Sequence, residues 1–173
     1  MILKPEPITA EAFAPFGDLI QVGAEPLIIN YGHTERHHDL AALDLLAQGG
    51  RPLISIFRST PLPQPISLKL MERHPLSSQA FFPLGDQPYL VAVAPAGAFD
   101  PSALKLFVAE PGQGVNYHRG VWHHYCLALN QVSDFLVIDR GGEGPNCDEI
   151  SLEEPIQVDL SDLTTAAEEP DHR

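Results

Sequence analysis

The chain is poor in cysteine, in basic residues and in long apolar runs. Cys126 and Cys147 are its two cysteines, too few for a disulfide framework and not at zinc-finger spacing, so reduced thiols are expected. Lys and Arg number 10 against 23 Asp and Glu, a formal charge of −13. Without a basic stripe, nucleic acid is excluded as an expected partner, and an anionic substrate would need a locally positive site. No apolar stretch approaches the ~20 residues that span a bilayer. The opening MILKPEPITAEAF lacks the basic start and apolar segment of a secretory leader. A soluble protein is the expectation.

What the chain does have is punctuation. Seventeen prolines and thirteen glycines break it every few residues and rule out long helices. Between the breaks lie runs rich in Val, Ile, Leu and Phe: LISIFR (53–58), ISLKLME (66–72), YLVAVAP (89–95), LKLFVAE (104–110), HYCLAL (124–129), DFLVIDR (134–140) and IQVDL (156–160). Short strands at this spacing predict a sandwich or barrel. Two short helices are expected at the flanks, one capped by Thr9 over TAEAFAPF and one capped by Asp39 over LAALDLLAQGG. Residues 1–160 read as a single domain. Residues 161–173 (SDLTTAAEEPDHR) read as a flexible acidic tail that frays.

Alternation along ISLKLMERH places Ile66, Leu68, Leu70, Glu72 and His74 on one strand face and Ser67, Lys69, Met71 and Arg73 on the other. If the leucine face points into a barrel, a carboxylate and an imidazole point inward with it. Burial without partners is costly, so Glu72 and His74 become candidates for a site.

A second cluster, HRGVWHH (118–124), follows the turn PGQG. Together the two stretches resemble the paired signatures of cupin-type double-stranded β-helical barrels. The second signature falls on Gly112, His118 (where proline is usual), Arg119, Gly120 and His123, with Leu127 in place of the terminal asparagine. The first falls on Glu72, His74 and Gln79, with Gly85 one position early. The ligand set this implies is Glu72, His74, Gln79 and His123. A carboxamide is a weak transition-metal ligand compared with a carboxylate, which leaves both metal-bound and metal-free readings open. The fold expected is therefore mainly β: a cupin-like double-stranded β-helix, or jelly-roll barrel, with two short flanking helices.

Structural roles compete with functional ones at several positions. Trp122 is more often core than substrate platform, His124 alternates away from His123, and His118 and His123 are compatible with hydrogen-bonded core histidines. The Asp139–Arg140 pair ends a strand, where a structural salt bridge competes with an anion-binding arginine.

Longer segments narrow the resemblance: INYGHTERHHDL (29–40), LISIFR (53–58), ERHPLSSQAFFPL (72–84), GVNYHRGVWHH (114–124) and DFLVIDRGGEGPNCD (134–148). In order, and over residues 1 to 160, they resemble the ureidoglycolate lyase family of allantoin catabolism. The resemblance implies a cytoplasmic, cupin-like homodimer that cleaves (S)-ureidoglycolate to glyoxylate and urea in purine nitrogen recovery, with a divalent metal, nickel by association. On that basis Glu72, His74, His118 and His123 are the catalytic candidates. Gln79, Arg58, Asn116, Trp122 and Arg140 are candidates for binding substrate. If a metal is bound, Glu72, His74, Gln79 and His123 would hold it. Two alternatives stand beside this: a hydrolase of the same substrate that releases ammonia and carbon dioxide, and a small-molecule-binding cupin without turnover.

Overall fold

The computed structural model describes residues 1–164. Fifteen strands follow one another: β1 (Ile2–Leu3), β2 (Glu6–Pro7), β3 (Gly17–Ile20), β4 (Leu27–Ile29), β5 (Thr34–Arg36), β6 (Arg51–Ser59), β7 (Ser67–Arg73), β8 (Gln79–Pro83), β9 (Tyr89–Ala94), β10 (Lys105–Ala109), β11 (Gly114–Tyr117), β12 (Trp122–His123), β13 (Leu127–Ala128), β14 (Ser133–Gly141) and β15 (Asp148–Val158). One sheet runs β1-β15-β7-β12-β9-β10-β2, with β13 also on β9, and a second runs β3-β11-β8-β14-β6. The strands β4 and β5 form a separate hairpin. Two curled sheets facing one another are the jelly-roll expected of the sequence.

The sheets enclose one core and carry a second behind the larger sheet. Strand β9 shows why its sequence is an unbroken apolar run. Tyr89, Val91 and Val93 enter the inner core with Phe81, Phe107, Tyr117, Phe135 and Val137. Leu90, Ala92 and Ala94 enter the outer core with Leu106, Trp122 and Ile156. A strand covered on both faces gives no polar alternation.

The first expected helix is present as α1 (Ala10–Phe13), with the Thr9 hydroxyl accepting the Ala12 N–H at 3.1 Å. The helix expected from Asp39 is not formed: apart from the turn Ala47–Gly49, residues 37–50 have no regular structure. Asp39 has φ 57°, and the segment's polar groups are met from outside it. The Ala42 N–H bonds Asp18, the Asp44 N–H bonds Ser78, and Asn116 donates to the Ala42 carbonyl. Tertiary hydrogen bonds thus replace the helical ladder that the propensity favoured. The second helix is instead α2 (Ser161–Thr164). There Leu163 packs on the outer core. The rest of the expected tail, residues 165–173, lies outside the described residues.

The alternation read along β7 also slips once. Leu68 and Met71, three apart, share the outer core, which a regular strand cannot arrange. Beyond the slip Glu72 and His74 join His123, on the face opposite to Ile66 and Leu68, so the leucine face they were expected to share is not theirs.

Candidate active site

Backbone pairing brings the two motifs together. In the register of β12 on β7, His123 lies opposite Glu72. The loop before β12 turns at Gly120, φ 77°, a conformation that glycine adopts without strain. From that turn the Gly120 N–H donates to the His74 carbonyl at 3.0 Å. The two stretches, some fifty residues apart in sequence, are thereby pinned at both strand and loop.

Ligand atoms of Glu72, His74 and His123 all lie within 4.8 Å of one another. The His74 and His123 rings are 5.1 Å apart, and Glu72 Oε1 is 3.8 Å from His123 Nδ1. His123 is 1% exposed and lies flat on the Tyr117 ring. Its Nδ1 faces the His124 carbonyl at 3.1 Å, so Nδ1 carries the hydrogen. Its Nε2 is buried without a partner. Burial, then the neighbouring His74, pushes the imidazole down to about 3. His123 is therefore neutral at working pH, with a bare lone pair. Glu72 is moved the other way. Burial raises its carboxyl, His74 opposes that rise, and Glu149 adds to it.

His74 sits in a directed chain. Its Nδ1 is 2.7 Å from the Asn146 carbonyl, its Nε2 is 3.0 Å from Gln79 Oε1, and Gln79 Nε2 donates to Asp139 Oδ2 at 3.2 Å. A carboxylate accepts only, so Asp139 fixes the amide with its oxygen toward His74. Both ring nitrogens of His74 then face acceptors. That arrangement is satisfied when both carry hydrogen. His74, Gln79, Asp139, Ser77, Arg140, Asn146 and Cys147 line a cavity of about 290 Å³.

Of the sequence candidates, the structure gathers Glu72, His74, Gln79 and His123. His118 lies outside the group: it is half-exposed and faces Asp18 Oδ2 at 3.1 Å. Asn116 is fully buried and donates to Asp18 and the Ala42 carbonyl. Burial alone would raise Asp18, but the hydrogen bonds from Asn116, Ala42 and His118 hold it below the usual carboxylate range. These residues brace segment 37–50 against β11. Trp122 is corrected from substrate platform to core. It packs edge-on to Phe99, donates to the Gly97 carbonyl and lies under the Arg73 guanidinium. Alternation that turns His123 inward turns Trp122 outward. Arg58 is corrected too: it is exposed, paired in fork geometry with Asp134, and lines a different groove. Arg140 does reach the cavity wall, but its Nε and Nη2 are held by the carbonyls of Ala47, Gln48 and Glu143. No salt bridge joins it to Asp139, which bonds to Gln79.

Sequence reasoning passed over Asp139, Asn146 and Cys147. Asn146 is the clamp of the site: its side chain accepts the Leu76 N–H and donates to Ser77, while its carbonyl meets His74. The only sequence signal was polar residues at the end of an apolar strand, in a Gly-Gly turn.

The donor chemistry fits a divalent cation. Two imidazoles and a carboxylate converge, one buried nitrogen has no partner, and three protein ligands leave positions open for substrate. Gln79 is not free to serve as a fourth, since both ends of its amide are engaged.

A jelly-roll with histidine and carboxylate converging between its sheets is a cupin-type β-barrel. Comparison with known proteins narrows that class. The family model for ureidoglycolate lyase matches residues 1–159, and the chain belongs to that family. It is 58% identical to a Burkholderia cepacia ureidoglycolate lyase over 88% of this chain and 87% of that one. It is 51% identical to one from Pseudomonas syringae pv. tomato (88% and 91%) and 48% identical to one from Pseudomonas paraeruginosa (90% and 94%).

Proposed function

We propose that the protein is a carbon–nitrogen lyase that cleaves (S)-ureidoglycolate to glyoxylate and urea, and that it serves nitrogen recovery from allantoin in the cytoplasm. The observation that carries this reading is the convergence of Glu72, His74 and His123 within 4.8 Å, in a chain whose relatives are named for that activity.

The substrate carries a hydroxyl, a carboxylate and a ureido nitrogen on one carbon. Cleavage removes the hydroxyl proton, turns the C–O bond into a carbonyl and sends the C–N electron pair to nitrogen, which takes up a proton and leaves as urea. Glu72, made more basic by burial, takes the hydroxyl proton. His74, with hydrogen on both nitrogens, is the acid that protonates the departing nitrogen. Each such group contributes about 10²–10⁴-fold. Gln79 and Asp139 aim His74, and Asn146 holds its other side. In place of that acid–base pair, a divalent ion held by Glu72, His123 and a His74 with one nitrogen bare would supply positive charge for the substrate carboxylate and lower the hydroxyl pKa.

A homodimer is proposed as well. Strand β6 ends its sheet with Ile54 74% and Ile56 55% exposed. A sheet edge that exposes Ile54 and Ile56 is a template for pairing with a second copy. No helix among the described residues is long and apolar enough to cross a membrane.

The direct test is to incubate metal-stripped protein with racemic ureidoglycolate, then restore nickel, manganese or zinc, and follow glyoxylate, urea and ammonia. Urea and glyoxylate in equal amounts are expected. Ammonia released ahead of urea would identify the hydrolase, and unchanged substrate the binding protein.

A further inference from the structure

We propose that Arg140 is the carboxylate-binding residue of the pocket, receiving the anionic end of the substrate on Nη1 and so setting which enantiomer reacts. This rests on reading the cavity beside His74 as the lyase site.

Arginine is seldom buried without an anion beside it, because an unpaired charge taken out of water is costly. Arg58, Arg73 and Arg119 each pair with a carboxylate. Arg140 is only 8% exposed, yet no ion pair forms on it among the described residues, and its neighbour Asp139 is turned to Gln79. Its partners are backbone carbonyls: Nε donates to Ala47 at 3.0 Å, and Nη2 to Glu143 at 2.9 Å and Gln48 at 3.4 Å. These bonds fix the guanidinium plane and leave Nη1 as its one nitrogen without an acceptor among the described residues. Nη1 is not sealed in, since the enclosed side-chain atoms without a partner are Asn116 Oδ1 and His123 Nε2. Arg140 walls the cavity with His74 and Gln79, and among the described residues it is that wall's one permanent cation. A carboxylate there meets two charged N–H donors on a group already held in place, at little ordering cost. It is also the locally positive site that an anionic substrate needs in a chain of charge −13.

Three substituents of the reacting carbon are then assigned: the hydroxyl to Glu72, the ureido nitrogen to His74 and the carboxylate to Arg140. The mirror image of the substrate satisfies two of the three at once and forfeits the third. A guanidinium fixed by three carbonyls cannot follow it.

The test measures, by calorimetry on the full-length protein, binding of glycolate, which keeps the hydroxyl and carboxylate but has no leaving group. Glycolamide is the uncharged control. Native protein should bind glycolate at least about tenfold more tightly than glycolamide. Arg140→Gln should lose about 10–100-fold in glycolate affinity, the range for a hydrogen bond to a charged group, and keep its glycolamide affinity within about twofold. With ureidoglycolate, the same variant should lower the preference in kcat/KM for (S) over (R) by a similar factor, which a merely structural arginine would not move. Because Arg140 also holds the carbonyls of Ala47 and Gln48, a second measurement uses the native chain alone. Glycolate, but not glycolamide, should slow phenylglyoxal modification of Arg140, read by peptide mass spectrometry, while the exposed Arg58 reacts at an unchanged rate. The proposal is overturned by native protein that does not prefer glycolate, by full glycolate affinity in folded Arg140→Gln, or by Arg140 labelling indifferent to glycolate. Each of these leaves the lyase reading standing if glyoxylate and urea still form. Glycolate held at Arg140 by a protein that forms neither product would uphold the anion site and overturn the lyase reading.

Discussion

The imidazole of His123 is stacked on the phenol ring of Tyr117, with centroids 4.1 Å apart and planes 1° from parallel. The stack makes the site's most buried histidine part of the inner core, so its protonation is coupled to folding. The folded pKa of about 3 lies below the unfolded value near 6.5. Above about pH 6.5 both states are neutral here and the full stability is present. As pH falls from there toward 3, the unfolded chain takes up a proton that the folded one refuses, and stability is lost. The slope is at most about 1.4 kcal/mol per pH unit. Metal-free native protein should therefore lose urea resistance between pH 6.5 and 4 more steeply than His123→Phe, which keeps an aromatic ring on Tyr117. Parallel curves for the two proteins would show that His123 is not held neutral.

Glu72→Gln keeps the size of the side chain and removes its basicity. Turnover should fall by about 10²–10⁴-fold, with the fold unchanged by circular dichroism. Activity within a few-fold of native would place the base elsewhere.

Asp139→Leu removes the acceptor that orients Gln79. The amide is then free to turn its nitrogen toward His74, and kcat should fall about 10–100-fold, by analogy with groups that orient metal ligands, with KM little altered. An effect confined to KM would make Asp139 a substrate contact.

Trp122 and Arg58 separate structure from catalysis. Trp122→Ala should cost about 3–5 kcal/mol through the cavity it leaves in the outer core, whereas Trp122→Phe should keep native kcat. Arg58→Ala should leave kcat and KM within about twofold, since loss of an exposed ion pair has small effects. A large KM rise in Arg58→Ala would return that arginine to the substrate.

Ile54→Lys together with Ile56→Lys should convert the proposed dimer to monomer, read by sedimentation. A native chain that already sediments as a monomer would dispose of the interface.

Some of this was legible in the order of residues. Short apolar runs between prolines and glycines specify strands, because each break removes the ladder hydrogen bonds that would extend them. Strand alternation put Glu72 and His74 on one face, although the slip in β7 that turns that face away from Ile66 and Leu68 was not legible, and the Thr9 cap is a local interaction within one turn. The spacing of the two motifs marked where chemistry would gather.

Tertiary structure decided what each candidate does. Trp122 and His123 are adjacent, and only the second core behind β9 shows that one neighbour serves packing while the other serves the site. Residues 39–46 looked helical because propensity is local, yet Asp18, Ser78 and Asn116, distant in sequence, claim their backbone groups. Asp139, Asn146 and Cys147 carry no periodic signal, since a polar side chain in a turn is ordinary until the fold sets it beside His74 and Glu72. Sequence determines which face a side chain takes, because that is a property of one strand. Its partners are a property of two or more distant segments, fixed only when the sheets close on one another.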